Sequence, residues 1–179
     1  LSLMLVDVHC HLTHEKFANE LDEVMQRARE AGVKRIITAG TNKETNRKII
    51  WLQEKYKDIL RISLGMYPLE ATGLNDEGQK IQPENWEEEI EFIINNKDKI
   101  TAVGEIGLDY SYGPDEKQVI IFRRFLETAE KINKPVIIHS RKAEQECVEI
   151  LKNRRVPVIL HCFGGRKSIV KEAAKANIY

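Results

Sequence analysis

Two histidines close the first apolar run of the chain, in the segment Asp7-Val8-His9-Cys10-His11. Side chains two residues apart in a β-strand project to the same face, so His9 and His11 are spaced to hold one metal ion between them. Cys10 then faces the other way, which argues against its thiol as a ligand. Two solvent-facing histidines would show the same spacing. Their position at the end of the first strand of a βα protein favours the metal site.

Three more candidate ligands end later apolar runs. Glu105 is the lone acid in Ala102–Ile106, where a carboxylate is costly unless it is paired or bound to metal, although a frayed strand end at the surface would also tolerate it. His139 and His161 each follow one proline and three aliphatic residues, so they hold matching places in two runs. One histidine at a strand end is more often structural. Two in matching places, with Glu105 and the first pair, predict a shared metal centre.

Imidazole and carboxylate ligands favour zinc, manganese or another transition ion over a magnesium site built from oxygen alone. Two ions about 3.5–4 Å apart, bridged by a carboxylate, would activate water and stabilise a leaving oxygen. Arg141 lies two residues after His139 and would share its face if the strand continued. Its guanidinium is suited to phosphate, and an ordinary solvated charge is an equal alternative.

The elements that must position these residues alternate along the chain. Short apolar runs, most of them rich in Val and Ile, are separated by segments with helical periodicity, and strict alternation predicts a parallel sheet with helical crossovers. Ala176–Tyr179 is expected to begin a seventh strand, and Leu69–Gln82 is the longest predicted loop. Alternation alone does not separate a closed barrel from an open doubly wound sheet. The six predicted strands are Met4–Val8, Arg35–Ala39, Arg61–Gly65, Thr101–Ile106, Pro135–His139 and Pro157–His161.

The composition is that of a soluble globular protein, with 42% hydrophobic and 31% charged residues. Lys and Arg (28) balance Asp and Glu (28), so any binding of nucleic acid must come from a local patch. No apolar run approaches membrane-spanning length, which predicts no membrane partner. The three cysteines (Cys10, Cys147 and Cys162) show no paired spacing, which suits a cytoplasmic location.

Outside the cluster, the chemistry-bearing side chains have ordinary structural interpretations. His14 is expected on a loop surface. Cys147 and Cys162 are expected to behave as small core residues. Trp51 and Trp86 are expected to pack between helix and sheet.

Four segments resemble successive signatures of the TatD family of metal-dependent deoxyribonucleases, in order along nearly the whole chain. The resemblance implies an α/β fold of the amidohydrolase type, a (β/α)8 TIM barrel acting on phosphodiester bonds of DNA, often as an exonuclease. A complete barrel needs about 250 residues, so residues 1–179 are expected to be a single domain that lacks roughly the last two strands. The four segments are Asp7–His11, Gly104–Tyr110, Ile138–Arg141 and His161–Gly165.

Carried over residue by residue, the resemblance implies a centre of two divalent ions (Zn, Mn or Mg) that Glu105 bridges. Arg141 matches a position of the phosphate-facing loop. One pair of histidines belongs to each ion, His9 with His11 and His139 with His161.

Two features depart from the family pattern. The family usually carries Gly-x-His-Pro after the third strand, whereas this chain has Gly65-Met66-Tyr67-Pro68. A contact expected near the substrate is then lost, or made by the Tyr67 hydroxyl instead. The family's remaining metal ligand and general base is an aspartate at the end of the eighth strand, which no residue up to Tyr179 matches. The native protein is therefore expected to continue beyond Tyr179 and to supply that aspartate.

Two other functions stay open at this point. The chain could hydrolyse C–N bonds of a small cyclic amide, as the wider amidohydrolase group does. Such enzymes often bridge their metals with a carboxylated lysine, so Glu105 at that place favours phosphoester chemistry. The chain could also bind metal weakly and hydrolyse nothing, because its barrel is incomplete.

Overall fold

A computed structural model describes residues 4–179, in which six parallel strands form one sheet that curls into a half-barrel. The strands follow one another across the sheet in chain order, and each pairs with the next in parallel. The predicted alternation of strands and helices is confirmed. The strands are β1 (Leu5–Cys10), β2 (Val33–Ala39), β3 (Leu60–Leu64), β4 (Ala102–Gly107), β5 (Val136–His139) and β6 (Val158–Leu160).

Helices connect the strands in the described part of the chain, as connections between neighbouring parallel strands require. A 3-10 turn, Glu15–Phe17, follows β1. The α-helices are α1 (Leu21–Glu30), α2 (Lys43–Lys55), α3 (Pro68–Thr72), α4 (Trp86–Asn95), α5 (Glu116–Lys131), α6 (Glu144–Leu151) and α7 (Lys167–Lys175). None of them is both long and apolar enough to cross a membrane.

Local sequence signals explain where the helices near the carboxyl edge of the sheet begin and end. The Asn42 side chain accepts from the backbone N–H of Thr45, and the Thr45 hydroxyl accepts from the Asn42 N–H, which closes a capping box at the start of α2. Pro68 occupies the first turn of α3, and Gly73, with φ 87°, ends that helix in the left-handed region. α3 therefore interrupts the predicted loop Leu69–Gln82.

Burial is greatest at the middle of the sheet. All six residues of β4 are buried, and α5 packs against this strand with Phe122 and Phe125 fully enclosed. At the edge, β1 exposes 43% of Leu5 and 46% of Val6. The structure thus holds β4, which carries Glu105, in the most tightly enclosed part of the fold.

The backbone past α7 behaves as the sequence predicts for a seventh strand. Ile178 forms a parallel bridge with Val158 of β6. The Tyr179 N–H donates to the Val158 carbonyl, and the Leu160 N–H donates to the carbonyl of Tyr179.

Candidate metal centre

The predicted ligands come together at the carboxyl edge of the sheet. His9 lies in β1, Glu105 lies in β4, and His139 is the last residue of β5. His11 and His161 stand directly after β1 and β6. Because the strands are parallel, their carboxyl ends share one rim, which is where barrels of this kind build their sites.

Each carboxylate oxygen of Glu105 faces one pair of histidines. Oε2 lies 3.3 Å from Nε2 of His9 and 3.1 Å from Nε2 of His11. Oε1 lies 2.9 Å from Nδ1 of His139 and 2.7 Å from Nε2 of His161. One carboxylate therefore joins two groups of three donors, as a carboxylate that bridges two ions must.

The donor atoms fit divalent metal ions. Within each group of three, the ligand atoms lie within 4.8 Å of one another. Nε2 of His9 and Nε2 of His11 face each other at 3.1 Å. Two imidazole nitrogens and a carboxylate oxygen that converge in this way match the ligand types of zinc and related transition ions.

Hydrogen bonds within the cluster keep Glu105 ionised. Burial alone raises the pKa of this carboxyl, but the hydrogen bonds of the four imidazoles outweigh burial and hold its pKa far below the usual range. Burial lowers the pKa of His9. For His139, burial lowers the pKa, but hydrogen bonds to Asp109 and Glu105 outweigh it and raise the pKa to about 9. Because ligation needs neutral imidazoles, a proton on His139 competes with metal binding.

Contacts beyond the carboxylate orient two of the rings. Nδ1 of His11 lies 3.2 Å from the carbonyl oxygen of Ala39, so this nitrogen is the donor and Nε2 keeps its lone pair for the centre. His9 stacks on His161 with ring centroids 3.8 Å apart. Nδ1 of His9 is buried and has no hydrogen-bond partner in the part of the chain that the structure describes.

Asp109 belongs to the site, although its sequence position predicted no role for it. It follows β4 and is 1% exposed, and its Oδ2 lies 2.8 Å from Nε2 of His139. The Tyr67 hydroxyl donates to the same oxygen at 2.8 Å. The sequence did carry a signal for it, an acidic side chain four residues after Glu105 in an apolar segment. Because a buried carboxylate needs partners, such a residue is a candidate member of the site.

A cleft of about 660 Å³ opens over the centre. Its walls include Glu105 and His161 from the cluster and Arg141 from the segment after β5. β5 ends at His139, so Arg141 does not share a strand face with it as expected, yet its exposed side chain still lines the cleft.

Two side chains expected in the core lie outside it. Cys162 is exposed and lines the cleft, because the backbone leaves strand geometry after β6 and turns through φ 46° at this residue. Trp51 exposes 64% of its surface on α2. Cys147 is buried and Trp86 packs against the core, as predicted. His14 is exposed, as predicted, and also lines the cleft.

The chain is similar in sequence to proteins of a known family. The sequence profile described as "TatD related DNase" matches residues 6–179. The chain belongs to the TatD-related DNase family. A relative from Bacillus subtilis, named "Uncharacterized metal-dependent hydrolase YabD", is 33% identical and aligns with 98% of this chain and 67% of its own length. The human "Deoxyribonuclease TATDN3" is 32% identical over 98% of this chain and 66% of its own length.

A solved structure supports the fold of this TatD-family chain. The crystal structure of YjjV, a TatD homologue from Escherichia coli K12, is 28% identical and superimposes with a TM-score of 0.81. It matches 97% of this chain and 66% of its own length. The predicted TIM-barrel type is thereby confirmed, and the chain spans about two thirds of the length of these relatives.

Proposed function

We propose that this chain is the greater part of a hydrolase that cleaves phosphodiester bonds in DNA with two divalent metal ions. The observation that supports the proposal is that the two carboxylate oxygens of Glu105 each face a separate pair of histidines. The four histidines and Glu105 would hold zinc, manganese or magnesium. When bound, they supply a water activated for attack and positive charge beside the leaving oxygen.

The ligand roles follow the two halves of the cluster. Glu105 stays ionised and faces both halves, so each of its two oxygens would hold one ion. Each half adds two imidazole donors at the rim of the sheet. The halves are His9 with His11, and His139 with His161.

Arg141 is proposed to bind phosphate. The side chain is exposed at the cleft, and its backbone is anchored where the Tyr110 N–H donates to the Arg141 carbonyl at 3.0 Å. A guanidinium forms paired hydrogen bonds with phosphate oxygens and keeps its charge at any relevant pH. Because the whole chain carries no net charge, this local cation is the feature that favours an anionic substrate.

The relatives favour DNA over the alternative of C–N bond hydrolysis. The human relative is named a deoxyribonuclease. In our proposal residues 1–179 form one domain. A cytoplasmic location is part of the proposal and is supported by the three free cysteines.

The experiment is a nuclease assay of the 179-residue chain on end-labelled single-stranded DNA, with Mg²⁺, Mn²⁺ or Zn²⁺ and with EDTA. We expect metal-dependent cleavage. Glu105→Ala should lower it by more than about 100-fold, because even residues one shell outside a metal site cost 10- to 100-fold. Glu91→Ala, an exposed acid on α4, is the matched control and should cleave like the wild type.

Circular dichroism of both variants checks that they fold. Cleavage that survives in EDTA, or in folded Glu105→Ala, would contradict the proposed mechanism. A folded wild-type chain that binds the metals but cleaves nothing would refute nuclease activity for this length of chain.

A further inference from the structure

Tyr67 touches the metal centre without facing Glu105. It stands between β3 and α3, half-buried, at the wall of the cleft. Its ring packs edge-on against the imidazole of His139, with centroids 4.9 Å apart and planes at 76°. Its hydroxyl donates to Oδ2 of Asp109 at 2.8 Å.

Asp109 is fixed from several directions. Its backbone N–H donates to Oε1 of Gln118 at 2.8 Å, and Nε2 of Gln118 donates to the Asp109 carbonyl at 3.0 Å. Its Oδ1 accepts from the backbone N–H of Ser111 at 2.8 Å. Oδ2 is therefore left for Tyr67 and His139, and the Tyr67 hydroxyl is the only side-chain donor besides His139 that reaches this oxygen among the described residues.

Asp109 in turn determines how His139 faces the centre. Nε2 of His139 lies 2.8 Å from Asp109, and Nδ1 lies 2.9 Å from Oε1 of Glu105. A carboxylate that accepts from one ring nitrogen assigns the proton to that nitrogen and leaves the other as a ligand atom. The orientation of this ring thus depends on where Oδ2 of Asp109 is held.

We propose that Tyr67 is a positioning residue for the half of the centre formed by Glu105 Oε1, His139 and His161, and that it acts through Asp109. The role of Tyr67 in the reaction rests on the proposed function, whereas its role in metal binding is independent of that function. The hydroxyl proton is committed to Asp109, so it is not available to a substrate phosphate. A histidine at this position would be shorter than tyrosine and would lack the phenolic oxygen that reaches Asp109.

The variant that isolates the hydroxyl is Tyr67→Phe, because phenylalanine keeps the ring packed on His139. The matched control is Tyr56→Phe, which also removes a phenol–carboxylate hydrogen bond, to Asp22 at 2.5 Å. Tyr56 lies at the end of α2, before β3 begins, and so at the opposite edge of the sheet from the centre.

The measurement is Co²⁺ binding to the metal-free 179-residue chain, followed by calorimetry and visible absorption. The bound equivalent of Co²⁺ that is weakened or lost in His161→Ala is the one held by the half of the centre that contains His139 and His161. We expect Tyr67→Phe to weaken that equivalent about tenfold, the lower end of effects from outer-shell residues. Tyr67→Phe should leave the affinity for the other Co²⁺ ion unchanged. Tyr56→Phe should leave the affinities for both ions unchanged.

Three outcomes would overturn the proposal. The first is a Tyr67→Phe chain that binds both equivalents like the wild type. The second is an equal weakening of both equivalents. The third is a wild-type chain that shows no equivalent sensitive to His161→Ala.

A double-mutant cycle tests whether the effect passes through Asp109. In an Asp109→Asn background, Tyr67→Phe should cause little further loss, because residues that act through one another are not additive. Fully additive losses would contradict the route through Asp109.

In the nuclease assay, we expect Tyr67→Phe to lower kcat and leave KM unchanged. A raised KM with intact Co²⁺ binding would mean that the hydroxyl contacts substrate instead. Since Co²⁺ binding needs no turnover, absence of cleavage would refute the proposed function without deciding this inference.

Discussion

A carboxylate as deeply buried as Glu105 needs several partners to be stable. Its side chain is only 4% exposed, and an unpaired charge at that depth would cost several kcal/mol. Four imidazoles surround it at 2.7 to 3.3 Å. The charge of Glu105 is therefore satisfied only by the four rings together, which is a property expected of a preformed ligand cage rather than of independent surface residues.

Arg141 gives a prediction at the scale of one side chain. Arg141→Ala should raise KM for single-stranded DNA roughly tenfold and reduce the slope of log affinity against log salt by about 0.7, the value for one phosphate contact on a single strand. Arg141→Lys should recover part of the affinity, since it keeps the charge but loses the paired geometry. KM is measured across a series of NaCl concentrations.

Arg123→Ala is the control for this prediction, because Arg123 is equally cationic and is exposed on α5. An Arg141→Ala chain with the KM and salt slope of Arg123→Ala would contradict a phosphate contact at this residue.

The sequence was sufficient to predict that the four histidines and Glu105 lie together, because residue type and position at a strand end are both visible in it. Their role as metal ligands stays a prediction. The division of the Glu105 oxygens depends on side-chain torsions that no spacing reveals. Asp109 was missed for a related reason. Its partners, Tyr67 and His139, come from two other strand ends, and their distance along the chain gives no sign that they touch.

At the scale of elements, the support behind Glu105 is a buried polar contact between α2 and the residue directly after β3. Asn46 is 0% exposed, and its Nδ2 donates to the carbonyl of Gly65 at 2.8 Å and to Oε2 of Glu89 at 2.9 Å. The Gly65 N–H donates back to Oδ1 of Asn46 at 3.3 Å. A Cβ on Gly65 would lie 2.4 Å from the Glu105 carbonyl oxygen, so the absence of a side chain lets β3 approach β4 at the ligand.

We predict that Asn46→Ala lowers the free energy of unfolding by about 3 kcal/mol, because it leaves buried Gly65 groups and Glu89 short of a partner. For a chain of this length that corresponds to a fall in Tm of roughly 10 °C, measured by thermal unfolding. Asn95→Ala, at an exposed position on α4, should change stability by less than about 0.5 kcal/mol. Equal melting temperatures for the two variants would contradict this account of Asn46.

The elements themselves were largely predictable, because Val- and Ile-rich runs mark buried parallel strands. Strand ends moved by one or two residues, and β1 extends to Cys10 rather than stopping at Val8. α3 was not predicted, since its five residues are too few to show a helical period. Trp51 was misplaced because apolar spacing on α2 indicates a helix but not how wide its buried face is.

At the scale of the whole molecule, the sheet is open and its halves contribute different parts of the centre. β1 and the residue directly after it provide one pair of histidines, and β5 with the segment after β6 provides the other. β4, which carries Glu105, stands between them in the sheet. Bringing β1 and β6 near enough to share one carboxylate requires the sheet to curl, as it does in a TIM barrel. The chain spans about two thirds of the length of its relatives, and this portion contains both groups of donors.

The measurement that tests this account most directly is anomalous X-ray scattering at the manganese edge from crystals of the chain grown with Mn²⁺. We predict two peaks, one among Nε2 of His9, Nε2 of His11 and Oε2 of Glu105. The other should lie among Oε1 of Glu105, Nδ1 of His139 and Nε2 of His161. A single peak, or peaks that do not share Glu105, would contradict a two-ion centre bridged by this carboxylate.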